Sequence, residues 1–281
     1  MDFINEDSKF KFVDDASALE ILNLLSIGLA TYNLKQHIPS NIPIHNQIIP
    51  TKYLKSQEYL ETLNIWSRNN KMELNLDKTK AMIFNFSKEK QFTVILQTEG
   101  KFIEVVNEVK LLGTILSSDL KWDKNISAIC KRANARMKIL SKLSEFRPKI
   151  EDMRIIYMTY IRSVLEQSCQ VWHSSITEEN SDDLERIQKN AMKIIFGDKY
   201  TNYENALNQL NIQDLKTRRE DLCKKFAKSC ISNEKMKKMF PKRIMSKNLR
   251  KNEIFEVNYA RTERYKNTSI PYMQRQLNNM L

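Results

Sequence analysis

Glycine, histidine and cysteine are scarce in this chain, and their scarcity excludes several kinds of site. The 281 residues include four glycines, too few for a glycine-rich phosphate loop of the P-loop or Rossmann type. With three histidines and four cysteines that show no CxxC spacing, we expect no zinc site. A nucleotide handled by this chain would therefore have to be held by metal ions and side chains.

Long apolar runs are also missing. The most apolar stretch, 18–31, is interrupted by Glu20 and Asn23, so we expect no membrane span. The cysteines lie far apart along the chain, and we expect free thiols with no disulfide partner. Both expectations favour an intracellular protein, in the nucleus or the cytoplasm.

Positive charge is abundant and unevenly placed. The chain has 46 Lys and Arg against 34 Asp and Glu, a net charge of +12. Residues 1–60 contain five bases and seven acids, so residues 61–281 carry a net charge of +14. A basic body favours a polyanionic partner, with nucleic acid ahead of an anionic membrane surface. The alternative is a solvated basic surface that binds no particular partner.

Hydrophobic periodicity predicts an α+β fold. A helix fits 53–70, and four strand-like runs follow at 81–86, 92–97, 102–106 and 109–116, which we expect to form one antiparallel meander. From Asp119 onward the period is helical, with predicted helices at about 126–142, 148–165, 181–197 and 203–231. We place a domain boundary near residue 118, between residues 1–118 and a helical region at 119–231. Residues 232–281 are basic with weak periodicity, and we expect a weakly ordered tail.

Two adjacent aspartates near the start of the chain are candidate ligands of a metal ion. Asp14 and Asp15 follow a Phe-Lys-Phe-Val strand and precede apolar residues, so they are expected at the tip of a hairpin. Adjacent carboxylates repel each other unless a cation lies close by, and Mg²⁺ prefers such rigidly held oxygen ligands. An ordinary polar turn explains the same pair. A second pair, Asp182 and Asp183, needs no metal because it lies near the start of a predicted helix.

A succession of motifs resembles the second half of a reverse transcriptase of the LINE-type (non-LTR) retrotransposons of animals. The segments are FVDD at 12–15, IWSRNNKMELNLDKTKAMIF at 65–84, VKLLGTILSSDLKWDKNI at 109–126, and a basic helical region with LERIQKNA at 184–191. The resemblance implies a partial palm at 1–118, with a small antiparallel sheet and a flanking helix, and a thumb-like helical bundle at 119–231. It also implies an RNA template and a DNA primer as partners.

The resemblance assigns roles to individual residues. Asp14 and Asp15 would be catalytic ligands of Mg²⁺, and Lys78 would neutralise or protonate the pyrophosphate leaving group. Leu112 and Gly113 would form a turn that grips the primer end, with Gly113 allowing close backbone approach. Without the resemblance, Lys78 is a surface lysine in a turn and Gly113 marks a bulge in a strand.

The best candidates for contacts with the template–primer phosphates lie on the polar face of the first thumb-like helix. They are Lys131, Arg132, Arg136, Lys138 and Lys142.

Reverse transcriptases need a further aspartate on an earlier palm strand, and only thirteen residues precede Asp14. Asp2 and Asp7 lie too close to the hairpin to occupy a separate strand. We therefore expect a fragment of an RNA-directed DNA polymerase that binds Mg²⁺ only in a complete active site and does not polymerise by itself. The alternatives are a non-catalytic basic nucleic-acid-binding module and a pseudogene remnant.

Overall fold

The computed structural model describes residues 47–49, 55–84, 92–243, 254–257 and 259–280. The chain divides into two compact units after Leu120. The first contains most of the strands, and the second is helical. This mixture confirms the α+β class. Asp14 and Asp15 lie outside the described residues.

The first unit combines one helix with short strands. Its helix is α1, Lys55–Asn69. Its strands are β1 Gln47–Ile49, β2 Lys80–Ala81, β3 Phe92–Val94, β4 Gln97–Thr98, β5 Lys101–Phe102, β6 Glu104–Val105, β7 Glu108–Leu111 and β8 Thr114–Ser117. The pairs β4–β5 and β7–β8 are antiparallel hairpins. The first joins two of the predicted neighbouring runs, whereas the second divides the single strand predicted over 109–116, because Leu112 and Gly113 form a turn within it.

The strand order differs from the expected single meander. Among the described residues the strands form four separate pairs, and two of these, β1–β3 and β2–β6, are parallel. In the parallel pair β2–β6, Lys80 lies opposite Glu104 and Ala81 opposite Val105. Alternating apolar residues indicate that a segment is extended, but they do not specify which segment it pairs with.

The second unit is a helical bundle with its own core. Its helices are α2 Asp123–Ser144, α3 Ile150–Ile156, α4 Ser163–Leu165, α5 Cys169–Trp172, α6 Glu178–Phe196, α7 Tyr203–Leu210, α8 Leu215–Ser232, α9 Glu263–Lys266 and α10 Ser269–Met280. Helix α2 packs on α6 and on the α3–α4 region, while α8 packs on α5, α6 and α10. The apolar face predicted for α2 is buried, which confirms the period. Its members are Ile126, Ile129, Ala133, Met137 and Leu140.

The boundaries of two predicted helices are corrected. Helix α6 begins three residues before Ser181, because Thr177 accepts a hydrogen bond from the Asn180 backbone and caps it. The predicted helix at 203–231 is two helices. Asn211 adopts a left-handed conformation (φ 49°) that ends α7, and Asp214 then caps α8 by accepting from the Thr217 backbone.

The described part of the predicted C-terminal tail is packed, which differs from the weak order expected of a basic segment. Seven buried residues join this segment to the second half of α8: Cys223, Ala227, Cys230, Phe240, Phe255, Met273 and Leu277. The side chain of Asn278 bonds both backbone groups of Phe255, at 2.9 and 3.0 Å. Met273 and Leu277 lie four residues apart on α10, whereas Phe240 and Phe255 lie outside the helices, where a search for helical periodicity does not detect them.

Candidate nucleic-acid interface

The exposed face of α2 carries a line of lysines. Lys124, Lys131, Lys138 and Lys142 follow each other at spacings of seven, seven and four residues, which places them on one side of a helix. All four are exposed. At 1.5 Å of rise per residue, the line is about 27 Å long. Lys124 was not among the residues predicted from sequence, and extending the heptad spacing one step toward the N-terminus would have found it.

Lys131, Lys138 and Lys142 are exposed enough for an outside partner to contact their ammonium groups. Lys142 pairs with Glu145 at 2.8 Å, but the lysine side chain remains 72% exposed. Within the described residues the side chains of Lys131 and Lys138 have neither an ion pair nor a hydrogen bond. Exposed pairs such as Lys142–Glu145 contribute little to stability. The line therefore acts as a row of positive charge that a polyanion can neutralise.

The two predicted arginines lie on the inner edge of the same helix. Arg132 donates from Nη1 to Oε1 of Gln167 at 2.8 Å. Arg136 donates to the backbone carbonyl of Tyr160 and lies over the Tyr160 ring, 4.4 Å from its centroid. Both guanidinium groups thus tie α2 to the α3–α4 region. Their contact with nucleic acid stays a prediction, and the lysine line is the better candidate.

The carbonyl that Arg136 binds belongs to an unusual helical segment. Between α3 and α4, residues Tyr157–Arg162 form a π-helix, whose hydrogen bonds span five residues instead of four. The wider turn keeps Tyr157 and Ile161 buried, four residues apart, and leaves Tyr160 40% exposed under Arg136. A regular helical period would place Tyr160 on the same face as Tyr157 and Ile161, but Tyr160 is exposed in this π-helical segment.

The LERIQKNA segment, 184–191, is a structural connector in α6. Glu185 accepts hydrogen bonds from the Tyr203 hydroxyl and from the Leu215 backbone, 3.0 Å from Oε2, at the start of α8. Gln188 is fully buried, accepts from the Tyr157 hydroxyl and donates to Tyr203 at 2.7 Å. Burial and the hydrogen bond to Glu185 raise the pKa of Tyr203. This network connects the π-helix, α6, α7 and the start of α8, and thereby stabilises the bundle that presents α2.

The turn at Lys78 is organised by Asn75. The Asn75 carbonyl accepts from the backbone of Lys78 at 3.2 Å and of Thr79 at 3.0 Å, and its side chain also accepts from the Lys78 backbone. Lys78 itself is exposed. Asn75, Lys78 and Thr79, spaced as N-x-x-K-T, thus form a turn that exposes the Lys78 side chain. The catalytic role of Lys78 stays a prediction.

The predicted primer-gripping residues form the tip of the β7–β8 hairpin. Leu111 pairs with Thr114, so Leu112 and Gly113 are the two loop residues, and both have positive φ, 47° and 85°. Two positive φ values identify a type I′ turn, which suits a glycine but is unfavourable for leucine. Leu112 is 72% exposed. The structure therefore presents a strained apolar tip at the predicted position, and its contact with a primer stays a prediction.

No group of three or more metal-ligating side chains occurs in the part of the chain that the structure describes. The carboxylates proposed for Mg²⁺, Asp14 and Asp15, belong to the residues outside it. Likewise, no helix among the described residues is both long and apolar enough to cross a membrane.

Comparison with known proteins identifies a relative. The chain is 24% identical over 141 residues to a probable RNA-directed DNA polymerase from transposon BS of Drosophila melanogaster. The match covers 50% of this chain and 16% of that polymerase. No family model matches the chain, and no solved structure does. The similarity supports a relationship to reverse transcriptases.

Proposed function

We propose that the chain is a fragment of a LINE-type retrotransposon reverse transcriptase whose helical unit binds the phosphates of a template–primer duplex. The observation that carries this proposal is the line of exposed lysines on α2. The relative supports the polymerase assignment, since it is itself a probable RNA-directed DNA polymerase of a transposon. The sequence motifs support the palm-and-thumb assignment and the position near the end of such a polymerase.

The chemistry of binding follows from charge. Lysines neutralise phosphates without regard to sequence and release condensed counterions, so affinity falls steeply as salt rises. A line of lysines about 27 Å long can contact several phosphates along one strand. Such a contact positions a duplex but does not select its sequence.

Substitution of the lysine line tests the proposal. In the intact chain, Lys131→Gln, Lys138→Gln and Lys142→Gln are combined, and affinity for an RNA–DNA hybrid is measured against salt concentration. We expect weaker binding and a salt slope shallower by about one for each phosphate-binding lysine removed. The matched control removes three exposed lysines elsewhere in the unit: Lys193, Lys225 and Lys228. Equal effects of the two triple variants would contradict the proposal, because net charge alone would then explain binding.

Catalysis is a separate part of the proposal. Asp14 and Asp15 would supply carboxylate oxygens to Mg²⁺, and the ion would stabilise the attacking and leaving oxygens of nucleotidyl transfer. We propose that the chain alone does not extend a primer, since the motifs of a third aspartate and of a nucleotide pocket are not found in it. Primer extension by the purified chain, lost in Asp14→Asn, would refute this.

The non-catalytic module is the second candidate, and the lysine line favours it equally. It predicts that Asp14→Asn leaves affinity for nucleic acid and its salt dependence unchanged. A longer polymerase containing this segment, inactivated by the same substitution, would instead assign the catalytic role to Asp14.

A further inference from the structure

A phenylalanine ring projects into solvent at the end of the lysine line. Phe146 directly follows Glu145, the C-cap residue of α2, and the Phe146 side chain is 79% exposed. A phenyl ring has no polar atom, so contact with water is unfavourable, and burial of the ring in a complex would lower the free energy. Ile139, seven residues earlier and two helical turns away, is also exposed, at 46%. The helix therefore has an apolar edge beside its lysines.

The backbone holds Phe146 in a defined position. Its amide donates to the Leu143 carbonyl at 3.1 Å, and the amide of Arg147 donates to the Ser144 carbonyl at 3.0 Å. These bonds tighten the last turn of the helix. Arg147 then adopts a positive φ of 49° and directs the chain away toward Pro148. The ring is thus placed by the end of a rigid helix and not by a long loop.

The charges around the ring specify its partner. Lys142, Arg147 and Lys149 surround Phe146 in sequence, and the one nearby acid, Glu145, is paired with Lys142. The net charge of +2 from Lys142 to Lys149 disfavours coverage by a neutral apolar surface, because the charged groups would have to be desolvated with it. An anion that also carries flat apolar faces satisfies both the charges and the ring. Nucleic acid with accessible bases has this chemistry.

We propose that Phe146 is a stacking platform for an unpaired base, placed where single-stranded nucleic acid leaves the lysine line of α2. This inference rests on the proposed function, since the lysines must hold the backbone that delivers the base. In a paired duplex the faces of the bases are stacked on each other, so the platform favours a partner with a single-stranded end. The chain should therefore bind a junction between duplex and single strand more tightly than a fully paired duplex.

The test separates bases from phosphates. Phe146→Ala is compared with the unmodified chain on a single-stranded oligonucleotide of about twelve nucleotides, and on an abasic oligonucleotide of equal length and charge. We expect roughly 5- to 100-fold weaker binding of the base-containing strand, an unchanged salt slope, and no change for the abasic strand. Phe146→Trp should retain affinity, and its fluorescence should be quenched when the base-containing strand binds.

Other outcomes overturn the inference. Equal loss on both strands would show that Phe146→Ala disturbs the helix end, and no loss on either would show that the ring contacts something else, such as another protein. Circular dichroism of each variant checks that the helices are intact, which the exposure of Phe146 leads us to expect. If the triple lysine variant weakens binding while Phe146→Ala does not, this inference fails and the proposed function stands. If the triple lysine variant has no effect, the proposed function fails as well.

Discussion

The two units of the chain differ in what stabilises them. In the helical unit the buried side chains are mostly apolar and include several of the largest, such as Trp172, Tyr157 and Leu165, all fully buried. In the described part of the first unit, Ile103 is a buried apolar residue, but Gln57, Thr98 and other buried side chains are polar. A packed apolar core yields cooperative stability, whereas polar contacts mainly specify geometry.

Polar contacts in the first unit connect α1 to the β4–β5 hairpin. The Gln57 amide bonds both backbone groups of Gln97, at 2.7 and 3.1 Å, as a neighbouring strand would. Asn64 and Arg68 donate to Glu99, and these hydrogen bonds lower the pKa of its carboxyl group. The hairpin turn at Glu99 and Gly100 is therefore positioned by side chains of a helix. We infer that this unit is less resistant to unfolding than the helical unit.

The largest expected effect is the loss of a core tryptophan. Trp172→Ala removes a fully buried side chain and should lower the free energy of unfolding of the helical unit by about 3–5 kcal/mol. Trp66→Ala, at a half-buried position in α1, is the matched substitution and should cost about half as much. Denaturant unfolding followed by far-UV circular dichroism measures both. If Trp66→Ala lowered the free energy of unfolding more than Trp172→Ala does, the first unit would depend more on its apolar core than the helical unit, contrary to our inference.

The helical unit should lose stability as the pH falls from 7 toward 4, through the protonation of His173. His173 is buried, and burial together with the charges of Arg219 and Lys216 lowers its pKa from 6.5 to about 4. Arg219 donates to its Nδ1 atom at 3.3 Å, which requires a neutral imidazole. Because the pKa is lower in the folded state, this stability is present above pH 6.5 and is lost as pH falls toward 4.

The lowered pKa of His173 accounts for at most about 3 kcal/mol of the free energy of unfolding, since each pKa unit corresponds to 1.36 kcal/mol. Denaturant midpoints measured between pH 7 and pH 4 test the prediction, with His173→Asn as the variant that removes the titrating group. If the variant and the unmodified chain lose stability in parallel over this window, His173 is not the cause.

The smallest expected effect lies at the hairpin tip of the first unit. Leu112→Asn should stabilise the hairpin by about 0.5–1 kcal/mol, because Asn-Gly suits a type I′ turn and leucine does not. Hydrogen exchange of the β7 and β8 amides should slow by about 2- to 5-fold, while exchange in α6 stays unchanged. Faster exchange in the hairpin would indicate that the Leu112 side chain makes a stabilising contact.

Sequence reasoning succeeded where structure is local. The heptad spacing of Lys131 and Lys138 and the apolar face of α2 both follow from a 3.6-residue period, and the structure places both as expected. In each case neighbours in the chain supply the main interactions.

Sequence reasoning failed where contacts between distant residues decide the orientation of a side chain or the pairing of a strand. Arg132 and Arg136 have the same chemistry as the lysines beside them, and only the packing of α2 on the α3–α4 region turns them inward. The parallel pairing of β2 with β6 depends on strands more than twenty residues apart.

The amino-acid sequence by itself determined the basic character of the chain, its helical and extended segments, and the motifs that relate it to reverse transcriptases. The tertiary structure decided which cations face solvent, gave Tyr157–Arg162 its π-helical turn and packed Phe240 and Phe255 against α8. The reason is physical. Periodicity and turn chemistry act over a few residues, whereas burial and the pairing of polar groups depend on which distant segments meet.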